Sequence, residues 1–177
     1  WAGTRSRRER ARLMMCYIDH YTTDARFWEW MDNQEISLIP TLIFTFFNRG
    51  IPYAQGREDE TYTIDTSTMD TMIDSLCDMN SREPMTKQLR GPYDAPGMWL
   101  DDMRCMTALM KPYLSVYIGS MGCRNSWGIN KLLQRDAERM GLPTLLLFAD
   151  AFDDRVASWE SCVEKISEFM QVRGIGQ

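Results

Sequence analysis

The sequence contains a single histidine, His20, and no C-x-x-C pair among its five cysteines. With one histidine and no closely spaced thiols, a zinc ribbon, a thioredoxin-type dithiol and a two-cluster ferredoxin run are unsupported. No apolar run approaches the ~20 residues of a membrane span. There is no GxGxxG loop, no internal repeat and no low-complexity segment. The phosphatase loop C-x5-R is missing as well: Ile129 stands six positions after Cys123, and Arg124 lies too near to fold back. Positive charge is not in excess, since 20 Lys and Arg face 25 Asp and Glu for a net −5. A nucleic-acid-binding face is therefore not implied. No secretory signal is read. With that signal missing, reduced thiols in a cytoplasmic setting are expected.

What is present suits a globular domain. The 177 residues suffice for one domain of ordinary size. Five arginines crowd "TRSRRERAR" at 4–12, which reads as a solvated or connecting segment running into a first strand. The chain opens at Trp1, so a piece of a longer protein is expected. The expected organisation is a basic connecting segment, 1–12, and a single α/β domain, 12–177.

Periodicity gives the elements. "RLMMCYID" (12–19) reads as a buried strand. "TTDARFWEWMDNQ" (22–34) reads as a helix capped at Thr23 or Asp24, with Phe27, Trp28 and Met31 on one face. "EISLI" (35–39) is a short strand stopped by Pro40. The run 41–47 fits helix or strand. Residues 65–80 place Met69, Met72, Ile73, Leu76 and Met79 on one side of a helix. Residues 81–97 form a long irregular span, and 98–111 a helix ended by Pro112. "YLSVYIGS" (113–120) is a strand. "NSWGINKLLQRDAERM" (125–140) is a helix capped at Asn125 or Ser126, with Ile129, Leu132, Leu133, Ala137 and Met140 apolar and Gly141 as its left-handed stop. "TLLLFAD" (144–150) is a strand, and Ser158 caps a last helix that buries Trp159, Cys162, Val163, Ile166, Phe169 and Met170. This alternation predicts an α/β fold of Rossmann or flavodoxin type, a small parallel sheet of about four strands with helices on both faces.

In such sheets ligands bind beyond the carboxyl ends of the strands. Those ends are Asp19-His20, Gly119 to Arg124, and Asp150 to Arg155. Cys123 sits there, before a helix, where the dipole favours a thiolate and a lowered pKa. Gly122 allows close backbone approach. Two readings stay open for Cys123: a thiolate ligand or nucleophile, or a buried inert thiol. Cys16, Cys77, Cys105 and Cys162 read as packing, His20 as a hydrogen-bonding group, and Asp150, Asp153, Asp154 and Arg155 as turn and capping residues. A single thiolate cannot hold an iron–sulfur cube.

The segment 115–170, with Cys123, "GLPTLLL" at 141–147, Asp150, Asp153 to Arg155 and Phe169-Met170, resembles the C-terminal domain of the 2-hydroxyacyl-CoA dehydratase and benzoyl-CoA reductase family. "RLMMCYID" and "DARFWEWMD" are similar to the opening of the same domain, so the resemblance covers most of 12–172. Cys16, Cys77 and Cys105 match no further cluster cysteine of that family. The resemblance implies the C-terminal domain of a longer subunit that binds a [4Fe-4S] cluster through three cysteines, the last of them at Cys123. Gly122, Arg124, Asn125 and Ser126 would form the surrounding cofactor-binding wall. It further implies an acyl-CoA substrate, a heterodimeric partner subunit and an ATP-dependent activator protein, with no nucleic acid and no membrane. The chemistry would be radical dehydration or aromatic ring reduction, and this chain alone would be inactive. Two rival readings are a non-catalytic subunit-interaction domain of the same fold, and a flavodoxin-like domain holding an anion or flavin phosphate at 119–126.

Overall fold

The structure is a computed structural model that describes residues 9–16, 24–39, 64–81, 100–120, 123–149 and 155–177. His20, the 41–47 run, nearly all of the 81–97 span, Gly122, Asp150, Asp153 and Asp154 lie outside the described residues. Described here are four strands, β1 (Ala11–Met15), β2 (Ile36–Ile39), β3 (Leu114–Ser120) and β4 (Thr144–Ala149). Five helices accompany them: α1 (Ala25–Asn33), α2 (Met69–Ser81), α3 (Leu100–Met110), α4 (Arg124–Arg139) and α5 (Trp159–Val172). The chain divides into two compact units, residues 1–41 with 110–177, and residues 42–109.

The first unit is built on one parallel sheet in the order β2-β1-β3-β4. Leu13 pairs with both Leu38 and Leu114, and Ser115 pairs with Thr144. The α/β class read from the alternation is what forms. Side chains alternate across the pleat, and both faces are apolar. One face carries Leu13, Met15, Val116, Ile118, Leu147 and Ala149, packed with Phe27 and Met31 of α1 and Cys162, Ile166 and Met170 of α5. The rings of Phe27 and Trp30 meet Trp159 edge-on at 6.0 and 6.4 Å, fixing α1 beside α5. The other face carries Met14 and Tyr117, both fully buried. Ile129, Leu133 and Ala137 of α4 are buried there too, since right-handed crossovers running in opposite directions place α1 and α4 on opposite faces.

A polar pair sits in that second face. The Thr144 hydroxyl donates to the Leu142 carbonyl at 3.0 Å. Its one proton is thereby used, so Ser115 donates to Thr144 Oγ1 at 2.8 Å. The amino end of the sheet is also tied down. Arg12 bridges Glu9 at 3.0 Å and reaches the Met110 carbonyl. Arg10 Nε donates to the Gly176 carbonyl at 2.8 Å. Gly176 has φ +75°, and a Cβ there would lie 2.6 Å from Arg10 Cγ, so only glycine fits this closure. The arginines at 10 and 12 are anchors in the fold.

Local signals explain most boundaries. Asp24 caps α1 by accepting from Arg26 N at 2.9 Å, and Ser158 caps α5 by accepting from Ser161 N at 3.2 Å. Gly141 has φ +82° at the end of α4, the left-handed stop expected there. The apolar stripe of α4 is rotated from the expected one. Leu132 is 48% exposed, whereas Asn130 is buried. At about 100° per residue, Ile129, Leu133 and Ala137 centre the buried arc on the side of Asn130, away from Leu132. Trp28 of α1 is likewise exposed.

The second unit contributes α2 and most of α3 to the described residues. Helix α3 buries Asp102, Met103 and Met106. No residue of α2 is buried, although the helix forms where its periodicity placed it. Cys77, read as packing, is exposed.

Candidate functional site

The sheet order locates the place where chemistry is expected. The chain leaves β1 towards β2 and leaves β3 towards β4, so it departs from adjacent strands in opposite directions. The carboxyl ends of such a pair diverge and leave a crevice between them. Cys16 follows the last residue of β1, is buried, and donates its backbone N–H to the Val116 carbonyl at 3.0 Å. By register it neighbours Tyr117 of β3. Its burial agrees with the packing role read for it.

Cys123 stands on the other strand of the pair, three residues beyond the end of β3. It is half-buried and occupies the N-cap position of α4, with extended backbone at φ −102° and ψ 101°. Sequence reasoning placed the cap at Asn125 or Ser126. The helix instead starts at Arg124, so the thiol is one position from the first helical turn, closer than expected. Cysteine is a poor capping residue, and the thiol makes no capping bond here. The first amides of a helix lack intrahelical partners and carry the positive end of its dipole. Helix α4 aligns 16 residues behind this end, which lies beside a polarisable sulfur. The arrangement suits a thiolate.

Arg124, Asn125 and Ser126 form the first turn of α4, so their backbone amides surround the same point. The final stretch of β3 is slim. Gly119 has Phe148 Cδ1 and Tyr117 Cε1 each 3.8 Å from where its Cβ would be. Two aromatic rings therefore wall the sheet just below the β3–α4 connection. An electrostatic cluster stands above the other face. Arg26 chelates Asp24 at 2.7 Å, reaches Glu160 at 3.3 Å and lies 5.9 Å from the Trp159 ring centre. The Arg26 hydrogen bond holds the Asp24 carboxyl below its ordinary range.

Among the described residues, no three His, Cys, Asp or Glu side chains gather into a metal-holding group. A hollow of about 330 Å³ lined by Arg10, Tyr113 and Gly174 to Gln177 lies at the amino end of the sheet, opposite Cys123. It is formed by the tail closure and not by the strand ends. Arg155 lies in an exposed turn after β4. The buried Asn130 and the ring pair at Gly119 were missed by sequence reasoning. Asn130 is seven residues, two turns, below Cys123 on the same helix, a spacing visible in the sequence only once the buried arc is known.

The comparison with known families decides the lineage. The family model described as 2-hydroxyglutaryl-CoA dehydratase, D-component, matches residues 2–172. This chain belongs to that family. No curated protein matches it. Membership makes the chain a dehydratase-type subunit and implies a partner subunit in a dehydratase complex. Among the described residues no helix is long and apolar enough to cross a membrane.

Proposed function

We propose that this chain is the C-terminal domain of a longer dehydratase subunit, and that Cys123 supplies one sulfur ligand to a [4Fe-4S] cluster shared with the rest of that subunit. The observation that carries the reading is the position of Cys123: a half-buried thiol at the carboxyl edge of a central strand, at the positive end of α4. The donor chemistry fits. Iron–sulfur clusters take thiolate ligands, and their potentials respond to nearby dipoles and solvent access. A cube needs three or four protein ligands, so the others would come from the N-terminal part of the longer subunit.

When bound, the cluster supplies one-electron chemistry to a 2-hydroxyacyl-CoA or an aromatic acyl-CoA. The work of this chain is different. Cys123 fixes one corner of the cluster. The first turn of α4, through Arg124, Asn125 and Ser126, presents amides to the negative charge that the cluster carries. Gly122, the residue before Cys123 in sequence, has no side chain to crowd it. Tyr117, fully buried, and Phe148, 39% exposed, lie against Gly119 at the end of β3. The acyl-CoA substrate, the ATP-dependent activator and the heterodimeric partner belong to this same reading, as does a cytoplasmic setting.

The test is a count of iron and acid-labile sulfide in the longer subunit, purified without oxygen, with and without Cys123→Ser. About four of each per chain in the unmodified protein, and loss of most of both in the variant, is the expected result. Equal counts in the two proteins would contradict it and favour the non-catalytic interaction domain.

A further inference from the structure

Helix α2 offers a surface that the cluster reading does not use. It is amphipathic, yet none of its 13 residues is buried. Met72, Leu76 and Met79 are half-buried, so one side of its apolar arc is covered. The other side is not: Met69 is 65% exposed, Ile73 49%, and Cys77 is exposed. These three are spaced by four and form one line along the helix. The adjacent line, also spaced by four, is Asp70, Asp74 and Asp78, all exposed.

Helix α2 carries three aspartates and no lysine, arginine or histidine, and Arg82 is the next residue in sequence. Like charges four apart on a helix repel, so Asp70 and Asp74 gain from a basic partner. Asp65 and Asp78 are set aside from this line: the Asp65 carboxylate accepts from Ser67 N at 2.9 Å, and Asp78 is engaged in an interaction of its own. Short helices draw most of their stability from packing of the apolar face, and methionine-rich faces adapt to varied partners.

Helix α5 shows what is distinctive here. It too has an exposed acidic line, Glu160, Glu164 and Glu168. Its apolar residues Cys162, Ile166 and Met170 are buried, so α5 presents charge without an apolar line. Of these two helices, α2 presents both side by side.

We propose that the Met69–Ile73–Cys77 line of α2, flanked by Asp70 and Asp74, is the docking site for a basic amphipathic helix of a partner protein. The complement is an apolar line beside lysines or arginines. Phosphate-rich surfaces, whether nucleic acid or anionic lipid, are repelled by the carboxylates. A second copy of this chain is a poorer complement. The basic line of α4 has Arg135 and Arg139 already paired with Asp136, at 2.8 and 3.5 Å. Joining α2 of one copy to α4 of the next is also a head-to-tail contact that need not close.

The probe is a fluorescein-labelled helical peptide of leucine and lysine, with leucines spaced by four beside a lysine line. Its anisotropy is titrated with the full chain at low and moderate salt. Ile73→Ser and Asp74→Asn are each expected to weaken binding about fivefold or more, as truncation of an interface anchor does. Glu164→Gln on α5 should change it less than about twofold, and added salt should weaken it. Both α2 positions are exposed, and circular dichroism verifies that the variants fold. Three results would overturn the proposal: no binding, equal losses for Asp74→Asn and Glu164→Gln, or no effect of Ile73→Ser. Sedimentation showing self-association abolished by Ile73→Ser would assign the face to a second copy and overturn it as well. None of these outcomes bears on iron binding at Cys123.

Discussion

Helices α5 and α2 carry nearly the same sequence signal and meet different fates. Each has an apolar face, an acidic line spaced by four and a hydroxyl N-cap. Ser158 caps α5, and Thr68 caps α2 by accepting from Thr71 N at 3.1 Å while Thr71 Oγ1 accepts from Thr68 N. Helix α5 lies on the sheet and buries three residues, whereas α2 buries none. Periodicity therefore reports that a segment can be a helix with a sticky side. Which surface covers that side is a tertiary matter.

The largest effect that tests this contrast is truncation of the apolar face. Ile166→Ala in α5 should cost about 2–4 kcal/mol, because it opens a cavity beneath the helix. Ile73→Ala in α2 should cost less than about 1 kcal/mol, as exposed substitutions do. Urea denaturation of both variants gives the comparison, and equal losses would erase the distinction drawn between the two helices.

Cap removal sharpens it. Ser158→Ala and Thr68→Ala should each cost their helix about 1 kcal/mol. In α5 that loss should appear as lower global stability, because the helix is part of the core. In α2 it should appear as faster amide exchange confined to residues 69–81, since local opening there need not disturb the sheet. Hydrogen exchange by mass spectrometry distinguishes the two patterns.

The smallest expected effect is acid dependence. The hydrogen bond from Arg26 lowers the Asp24 carboxyl at the start of α1, and that from Ser67 lowers Asp65 ahead of α2, both from an ordinary value of 3.8. A depressed carboxyl adds stability that is fully present above its unfolded value and fades as pH falls through its folded value. The stability difference between the unmodified chain and Asp24→Asn should therefore shrink below pH 3.8. A difference that grew with acid would reverse the sign.

Much of the fold was legible because local chemistry and global order agree in it. The strand–helix alternation, the Asp24 and Ser158 caps and the Gly141 stop are each written in a few adjacent residues. The strand order is not, because placing β1 and β3 side by side depends on where crossovers return. The rotation of α4 was hidden for the same reason: Leu132 and Asn130 exchange places depending on how the helix lies on β3 and β4. For the candidate site, Cys123 stood out through its setting between a strand and a helix. Its exact role as the N-cap did not, since Asn125 and Ser126 are better capping residues and drew the cap two or three positions too late.

The most direct measurement is alkylation of the longer subunit by iodoacetamide, without oxygen, before and after its iron is removed by a chelator, with each cysteine read by mass spectrometry. Exposed Cys77 should react equally in both states and serves as the reference. Cys123 should be protected while iron is bound and react once it is gone. If Cys123 reacts to the same extent in both states, it is not a cluster ligand and the account of this site is wrong.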